Sequence, residues 1–238
     1  MIYGLVRPFL PRGYHRYPVA DGRLYLNLHE SPLMLARVLR TYERPKMKAM
    51  RQHLRSGDIC ADVGANKGDF SLLAARQVGP SGRVLSIEPE SENFRWLMRS
   101  VAGLNQVECV QVALGREVGE ASLRLGAKSG AHSLSAAQPL KQTGAENVHV
   151  STLDTLTGGR LDVAKIDVEG FEVEVLAGAQ ESLQNLRALF LDLHPSAGVN
   201  TEEVMADLVA KGFTLFTSAG ERTKPVPRIK EVVALRQS

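Results

Sequence analysis

A run of seven residues from Asp62 to Gly68 has the composition of a loop that binds a nucleotide. It reads Asp62-Val63-Gly64-Ala65-Asn66-Lys67-Gly68. Gly64 and Gly68 allow the backbone to pass close to a ligand, and Asn66 adopts a left-handed conformation more cheaply than most residues. An NAD-binding loop is expected to read G-x-G-x-x-G, because backbone amides must cradle a pyrophosphate. Here the middle glycine is missing and the Asp62 carboxylate would repel a pyrophosphate, whereas it can accept a hydrogen bond from the amino group of a methionine moiety. The loop therefore favours S-adenosylmethionine over NAD as the cofactor.

A second carboxylate, Glu88, ends the next strand-like run and precedes Pro89. In an open α/β sheet the ligand lies beyond the carboxyl ends of the strands, where such a residue can accept hydrogen bonds from ribose hydroxyls. NAD-binding proteins use the same interaction. Glu88 therefore indicates a bound nucleoside without choosing the cofactor.

The candidates for catalysis lie at the ends of two later strands. Lys165, Asp167 and Glu169 surround one strand end, and Asp192 and His194 stand at the next. Methyl transfer is an in-line displacement at a sulfonium, so the protein must align the acceptor and activate its oxygen. Because an alkyl hydroxyl is about as weakly acidic as water, a general base or a Lewis-acidic metal is expected.

Two arrangements remain open for this activation. In the first, Asp167, Asp192 and His194 bind a divalent metal such as Mg²⁺, which orients the acceptor oxygens. In the second, catalysis is metal-free and His194 or His132 is the general base. A purely structural interpretation competes with both. In it, Asp167 caps the following helix and Lys165 is the ion-pair partner of Asp167.

The elements that position these residues alternate between short β-rich runs and helical stretches. This alternation is the signature of βαβ units and a parallel sheet. The closing two strands are too tightly connected to be parallel, so we expect them to be antiparallel. The predicted fold is α/β, a Rossmann-like doubly wound sheet of the class I methyltransferase type, mostly parallel with an antiparallel closing strand. Strands are predicted at 59–63, 83–88, 107–112, 120–125, 162–167, 188–194, 213–217 and 231–236, helices at 68–77, 91–103, 171–183 and 201–211, and a loop at 126–143.

The first 56 residues form a predicted N-terminal cap in front of an S-adenosylmethionine-binding domain at 57–238. An extended pair is expected at 17–28 and helical periodicity at 32–54. Residues 1–57 hold 11 Lys or Arg against three acids, a charge of +8, whereas the whole chain carries +3. Because these charges are scattered and no aromatic residues interleave with them, we expect a solvated helix face and no nucleic-acid partner.

The remaining composition indicates a globular protein without a membrane span. No apolar stretch approaches the roughly 18 residues that a span needs. Arg7, Pro8 and Pro11 interrupt the apolar start, which makes it a poor signal peptide. Cys60 and Cys109 are expected to be buried thiols in a reducing compartment. We therefore expect a cytoplasmic protein that acts on a small molecule, and a homodimer is left open.

Six ordered motifs between residues 62 and 179 carry a family resemblance. They are Asp62-Val63-Gly64-Ala65-Asn66-x-Gly68-x-x-Ser71, Glu88-Pro89 with Phe94 and Leu97, Val112-Ala113-Leu114-Gly115, Thr152-Leu153-Asp154-x-Leu156, Lys165-Ile166-Asp167-Val168-Glu169-Gly170-x-Glu172 and Val175-Leu176-x-Gly178-Ala179. Together they resemble the FkbM family of methyltransferases over about residues 40–195. The resemblance implies a class I fold and O-methylation of a hydroxyl on a sugar, polyketide or similar metabolite.

The resemblance also assigns cofactor contacts by position. It places the methionine end of S-adenosylmethionine near the predicted loop, the ribose at Glu88, and the adenine near Val112 and Ala113. The residues expected at the methionine end are Asp62, Gly64, Asn66 and Gly68, and Asp167 is a further expected cofactor contact. Two departures affect the acceptor side: Asn93 stands where a small or proline-like residue is frequent, and the chain reads Asp192-Leu193-His194 where the family more often has Glu.

The leading interpretation is thus an S-adenosylmethionine-dependent O-methyltransferase acting on a small metabolite or sugar. An NAD-dependent oxidoreductase is the first alternative, and the Asp62 loop and the antiparallel closing strands disfavour it. A catalytically silent protein that binds a nucleoside or a partner through the basic cap is the second.

Overall fold

The structure is a computed structural model that describes residues 2–126, 132–137 and 141–236. Part of the predicted loop at 126–143 therefore lies outside the described residues. The strands are β1 (His15–Pro18), β2 (Arg23–Leu26), β3 (Ile59–Val63), β4 (Arg83–Ile87), β5 (Val107–Val110), β6 (Ala113–Leu114), β7 (Gly119–Gly126), β8 (Gln142–Ser151), β9 (Val163–Ile166), β10 (Ala188–Asp192), β11 (Phe213–Phe216) and β12 (Glu231–Arg236). The α-helices are α1 (Ile2–Val6), α2 (Pro32–Val38), α3 (Arg44–His53), α4 (Asp69–Val78), α5 (Ser91–Ser100), α6 (Leu153–Thr157), α7 (Glu172–Ala177), α8 (Gln180–Asn185) and α9 (Thr201–Ala210). Within the described ranges, none of these helices combines the length and the apolar composition that crossing a bilayer requires.

The main sheet has seven strands in the order β11-β12-β10-β9-β3-β4-β5. The five strands from β10 to β5 are parallel to one another, and β12 runs antiparallel to both β10 and β11. Its central strands read as near-continuous apolar runs, because helices cover both faces of a parallel sheet. The predicted α/β fold with an antiparallel closing strand is confirmed.

Alternating residues of each strand enter two different cores. Ala61 and Val63 of β3 pack with residues of α7, α8 and α9, whereas Cys60 packs with Met50 of α3 and Phe70 of α4. Successive strand side chains point to opposite faces, so the sheet separates the two cores. The sheet is therefore rigid at the centre, where it carries the strand ends that sequence analysis singled out.

Several elements differ from the prediction. β7 pairs with β8 and β8 pairs with the short β6, which makes a separate three-stranded sheet instead of an edge strand followed by a loop. The helix predicted at 32–54 is broken into α2 and α3, because Arg40 and Glu43 adopt left-handed backbone angles ahead of Pro45. The helix predicted at 171–183 is likewise two helices, α7 and α8.

The N-terminal residues pack on the sheet domain through an apolar core of their own. Leu24 and Leu26 of β2 are fully buried against Leu72 of α4 and Leu97 of α5. Arg37 of α2 adds a buried ion pair to Asp69, with 2.7 Å between Nε and Oδ2. The cap and the helices that follow the cofactor loop therefore share one packed interface.

Replacing Leu26 by Ala should lower the free energy of unfolding by about 2–5 kcal/mol, because it opens a cavity in that interface. Leu39→Ala is the control, since Leu39 is 63% exposed and its truncation should change stability by less than about 0.5 kcal/mol. Urea unfolding of the two variants measures both values. Equal effects of the two substitutions would contradict a packed cap.

Candidate cofactor and acceptor site

The site lies where the strand order of the sheet reverses. From β3 the chain proceeds to β4 and β5 on one side, whereas β9 and β10 lie on the other. Ligands of open α/β sheets bind outside the carboxyl ends of the strands at such a switch point. A cavity of about 510 Å³ opens there and is lined by the loop after β3, the ends of β9 and β10, and residues of α2 and α3. We call it the cleft.

The loop after β3 has the backbone that its glycines and asparagine predict. Gly64, Asn66 and Gly68 have φ angles of +74°, +50° and +97°. A Cβ atom on Gly64 would lie 1.9 Å from the carbonyl oxygen of Asp167, so no other residue fits between the two strand ends. The close approach of these two backbones forms the floor of the cleft.

Asp62 is fully buried at the end of β3 and already has partners within the protein. Ser71 Oγ donates to its Oδ2 at 2.6 Å, and the ammonium of Lys165 lies 3.3 Å from its Oδ1. Its Oδ1 accepts no hydrogen bond from the described residues. The direct contact predicted between Asp62 and a methionine ammonium stays a prediction, and Lys165 is the cation that the structure places beside it.

Lys165 connects the cofactor loop to the neighbouring strand. Its Nζ donates to the carbonyl oxygen of Gly64 at 2.7 Å and lies 3.8 Å from Asp167 Oδ2. Burial lowers the pKa of Lys165, but the charges of Asp62 and Asp167 outweigh burial and raise it. Lys165 is therefore a charged group that positions the loop rather than a proton acceptor.

Glu88 lies at the end of β4, where a ribose would be held. Its two carboxylate oxygens accept from the backbone N–H groups of Asn66 and Glu90 at 2.9 Å and 3.1 Å. A carboxylate offers about four acceptor positions, so capacity for a ribose hydroxyl remains. Burial raises the pKa of Glu88 to about 7 despite these hydrogen bonds.

Apolar residues line the side of the cleft beyond Glu88. Val112 and Ala113, the predicted adenine contacts, line it together with Ile87, Leu114 and Leu123. Leu123 comes from β7, so the separate three-stranded sheet completes this wall. An adenine ring would find a largely apolar slot there.

Three of the predicted catalytic residues meet at the acceptor side. His194 Nε2 lies 3.3 Å from Glu169 Oε2 and 3.9 Å from Asp167 Oδ1. His194 Nδ1 lies 2.7 Å from Glu172 Oε1, and Glu172 is fully buried. Because an ionised carboxylate only accepts, Nδ1 carries the proton and Nε2 faces the other two carboxylates.

The same contacts shift the pKa values of this group. Burial alone would lower the pKa of His194, but the hydrogen bond to Glu172 and the charges of Glu169, Glu172 and Asp167 raise it to about 9. Burial raises the pKa of Glu169 to about 7, although His194 opposes that shift. Glu169 also has a left-handed backbone (φ +53°), a strained conformation that is concentrated at functional sites.

The metal set predicted from the sequence does not assemble as proposed. Among the described residues, one group of three potential metal ligands has its ligand atoms within 4.8 Å of one another: Asp167, Glu169 and His194. Glu169 stands in this group where the sequence predicted Asp192. Asp192 instead accepts two hydrogen bonds from Lys46 Nζ, at 2.9 Å and 2.8 Å. The structure thus gives Asp192 a buried lysine of the cap as its partner, and a metal bound by Asp167, Asp192 and His194 stays a prediction.

His132 lies on the other side of the cleft from the His194 group. Gly126 N–H donates to its Nδ1 at 3.2 Å, and its Nε2 lies 3.9 Å from Glu90 Oε2. Burial lowers the pKa of His132. These contacts associate His132 with the ribose side, so His194 is the better placed of the two candidate bases.

Sequence reasoning missed two functional contributors, Lys46 and Glu172. Lys46 is 3% exposed and also lies 2.9 Å from Glu43 and 3.5 Å from Glu231. Nothing in the sequence links it to residues almost 150 positions away. Glu172 did carry a signal, since it belongs to the Gly170-x-Glu172 end of a motif.

The cleft is lined by charged residues of both signs, with carboxylates in the majority. Seven carboxylates and four Lys or Arg residues line it, namely Glu43, Asp62, Asp69, Glu88, Asp167, Glu169 and Asp192 against Arg37, Lys46, Lys165 and Lys230. The pKa values of Glu88 and Glu169 near 7 and the additional positive charge of His194 bring the net charge of the cleft close to zero near pH 7, so charge alone does not select the cofactor. The switch-point cleft, the Glu88 carboxylate and the antiparallel closing strand together define a class I, S-adenosylmethionine-binding methyltransferase fold.

Comparisons with known proteins place the chain within that class. Residues 62–215 match the family described as the methyltransferase FkbM domain. The chain belongs to this family. The predicted family and S-adenosylmethionine as its cofactor are confirmed, and an NAD-dependent oxidoreductase is set aside.

Two relatives illustrate the similarity. The hexuronic acid methyltransferase AglP of Haloferax volcanii is 25% identical over 174 residues, which cover 68% of this chain and 66% of that protein. A crystal structure of the methyltransferase FkbM from Methylobacillus flagellatus has a TM-score of 0.50 at 14% identity, and the match covers 87% of this chain and 53% of that one. This chain thus spans about two thirds of the curated relative and about half of the crystallised protein.

Affinity for S-adenosylhomocysteine should fall about tenfold between pH 8 and pH 6, because the Glu88 carboxylate with a pKa of about 7 becomes protonated and loses acceptor capacity. In Glu88→Gln the binding should be weaker at pH 8 and lose most of this pH dependence. Isothermal titration calorimetry measures both, and Glu92→Gln on the exposed start of α5 is the control. A Glu88→Gln variant with the affinity and pH profile of the wild type would contradict the assignment.

Proposed function

We propose that this protein transfers the methyl group of S-adenosylmethionine to a hydroxyl oxygen of a sugar acid. The observation that carries the proposal is the imidazole of His194, fixed by buried Glu172 at 2.7 Å and directed into the cleft beside the cofactor loop. A histidine oriented through Nδ1 has Nε2 available for a proton on the acceptor. The O-methylation of a hydroxyl and the identity of the acceptor are both part of the proposal.

S-adenosylmethionine, when bound, supplies an electrophilic methyl carbon on a sulfonium. Glu88 would hold the ribose, the loop from Gly64 to Gly68 would hold the methionine end, and Lys165 holds that loop against Asp167. These contacts determine where an acceptor oxygen must stand for an in-line attack. Alignment of this kind provides a large part of the rate enhancement of two-substrate reactions.

His194 takes up the proton as the hydroxyl oxygen attacks. A hydroxyl is a very weak acid, so a base with a raised pKa removes its proton more strongly, although less of that base is neutral at pH 7. Glu172 holds the imidazole in the required tautomer, and Glu169 and Asp167 stabilise the imidazolium that forms. Ser133 Oγ donates to the carbonyl oxygen of Glu169 at 2.5 Å and fixes the backbone of that residue.

The sugar acid is proposed from the curated relative and from one cation of the cleft. The relative is described as a hexuronic acid methyltransferase. Arg37, Lys46 and Lys165 have carboxylate partners, whereas Lys230 is exposed on the cleft wall and forms no ion pair with the described residues. Lys230 is therefore the group proposed to bind the acceptor carboxylate.

His194→Gln should lower kcat by about 10²–10⁴-fold, because the general base is lost. Its affinity for S-adenosylhomocysteine should stay within about twofold of the wild type, since the residue lies on the acceptor side. His149→Gln, at a histidine with a 78% exposed side chain, is the matched control and should keep full activity. Unchanged kcat in His194→Gln would contradict this role.

Exhaustive chelation separates this mechanism from metal catalysis. Lys165 already supplies a cation beside Asp167, 3.8 Å from its Oδ2. We therefore expect unchanged turnover after chelation. A loss of activity that added Mg²⁺ restores would instead make Asp167, Glu169 and His194 the ligands of a catalytic ion.

A hexuronic acid incubated with the protein and methyl-labelled S-adenosylmethionine should yield a methyl ether. Mass spectrometry before and after mild alkali identifies the product, because alkali removes a methyl ester and leaves an ether intact. Lys230→Met should raise the KM for the acid and leave that for S-adenosylmethionine unchanged. An alkali-labile label would refute hydroxyl methylation, and no transfer to any sugar acid would refute the acceptor class.

A further inference from the structure

A second, larger cavity lies beside the cleft. It has a volume of about 860 Å³ and is enclosed by the β1–β2 connection, the segment from Arg37 to His53, and the ends of β11 and β12. Its wall is shared with the cleft through Arg37, Tyr42, Met47 and Asp69. We call it the basic cavity.

The acids of this cavity are already neutralised. Asp69 pairs with Arg37 at 2.7 Å, and Asp21 pairs with Arg51. No other Asp or Glu is among the residues that line the cavity. Any further positive charge there is therefore uncompensated.

Three such positive charges are present. Arg40, Arg44 and Lys48 line the cavity, and none of them forms an ion pair or a side-chain hydrogen bond with the residues that the structure describes. They come from the broken segment between α2 and α3 and from the first turns of α3. Arg40 lies in the break between α2 and α3, which sequence analysis did not anticipate, and it lines the same cavity as Arg44 and Lys48.

We infer that the basic cavity binds a phosphate or diphosphate group. Two guanidinium groups and one ammonium would compensate a multivalent anion, whereas a single carboxylate would neutralise only one of them. Guanidinium groups also match the geometry of phosphate oxygens through paired N–H donors. Val19, Phe216 and Leu235 form an apolar part of the wall, while the three cations are exposed and accessible to an anion from solvent.

Two sources of the anion present the same phosphate chemistry to the cavity. The anion is either a phosphate ester or diphosphate carried by the methyl acceptor, or a separate phosphate-bearing molecule. In the wall shared with the cleft, Arg37 stacks over the ring of Tyr42 at 3.9 Å and pairs with Asp69 at the start of α4. The site itself does not depend on the proposed acceptor or on methyl transfer.

The test measures the binding of inorganic pyrophosphate to the full chain saturated with S-adenosylhomocysteine. The variant R40Q/R44Q/K48Q should bind pyrophosphate at least about tenfold more weakly than the wild type, since one charge-assisted contact alone is worth about that factor. Its affinity for S-adenosylhomocysteine should be unchanged, which reports on folding and on the cleft independently of the anion site.

The matched control removes the same charge elsewhere. Arg16, Arg160 and Lys224 are exposed, form no ion pair with described residues and line neither cavity. R16Q/R160Q/K224Q should bind pyrophosphate like the wild type. Undetectable binding to the wild type, or an equal loss in both triple variants, would overturn the proposal.

Competition identifies the source of the anion. If pyrophosphate raises the KM for a phosphorylated acceptor but not for a neutral one, the site holds the phosphate of the acceptor. If pyrophosphate binds the wild type, binds R40Q/R44Q/K48Q more weakly, and raises the KM of neither the phosphorylated nor the neutral acceptor, the site serves a separate molecule. Both results support the site, and failure of pyrophosphate binding leaves the tests of His194 untouched.

Discussion

The buried ammonium of Lys165 is the interaction on which the site depends. It joins the backbone of the cofactor loop at Gly64 to two carboxylates, Asp62 and Asp167, at the point where the strand order reverses. Burying the charges of Lys165 and Asp62 costs several kcal/mol of desolvation per ion, which mutual attraction and hydrogen bonds offset. Removal of the lysine would leave the buried carboxylate of Asp62 without its cation.

The N-terminal cap contributes side chains to the site. Arg37 reaches Asp69 at the start of α4, and Lys46 reaches Asp192 at the end of β10. Each is a cation of the N-terminal segment paired with an acid of the sheet domain, and each borders the cleft. Two of the basic residues of the cap thus neutralise acids of the sheet domain, and three others, Arg40, Arg44 and Lys48, line the basic cavity.

The two cavities differ in their charged residues. Most of the charged residues that line the cleft are carboxylates, whereas the neighbouring cavity has three cations without an ion-pair partner among the described residues. The paired Arg37 and Asp69 lie in the wall between them. An acceptor with an anionic group would find positive charge in that neighbouring cavity.

The sequence by itself determined the fold class, the cofactor loop and the residues at the strand ends, because these follow from short-range patterns. Apolar runs of strand length, the left-handed positions at Gly64, Asn66 and Gly68, and a carboxylate after the second core strand all act within a few residues of one another. Only the tertiary structure decided how the charges pair. Asp192 and His194 are two residues apart, and in the sequence both are equally suitable metal ligands. In the structure Lys46 of the cap pairs with Asp192, whereas buried Glu172 orients His194. Long-range ion pairs of this kind depend on which elements the packing brings together, and no periodicity in the chain encodes their partners.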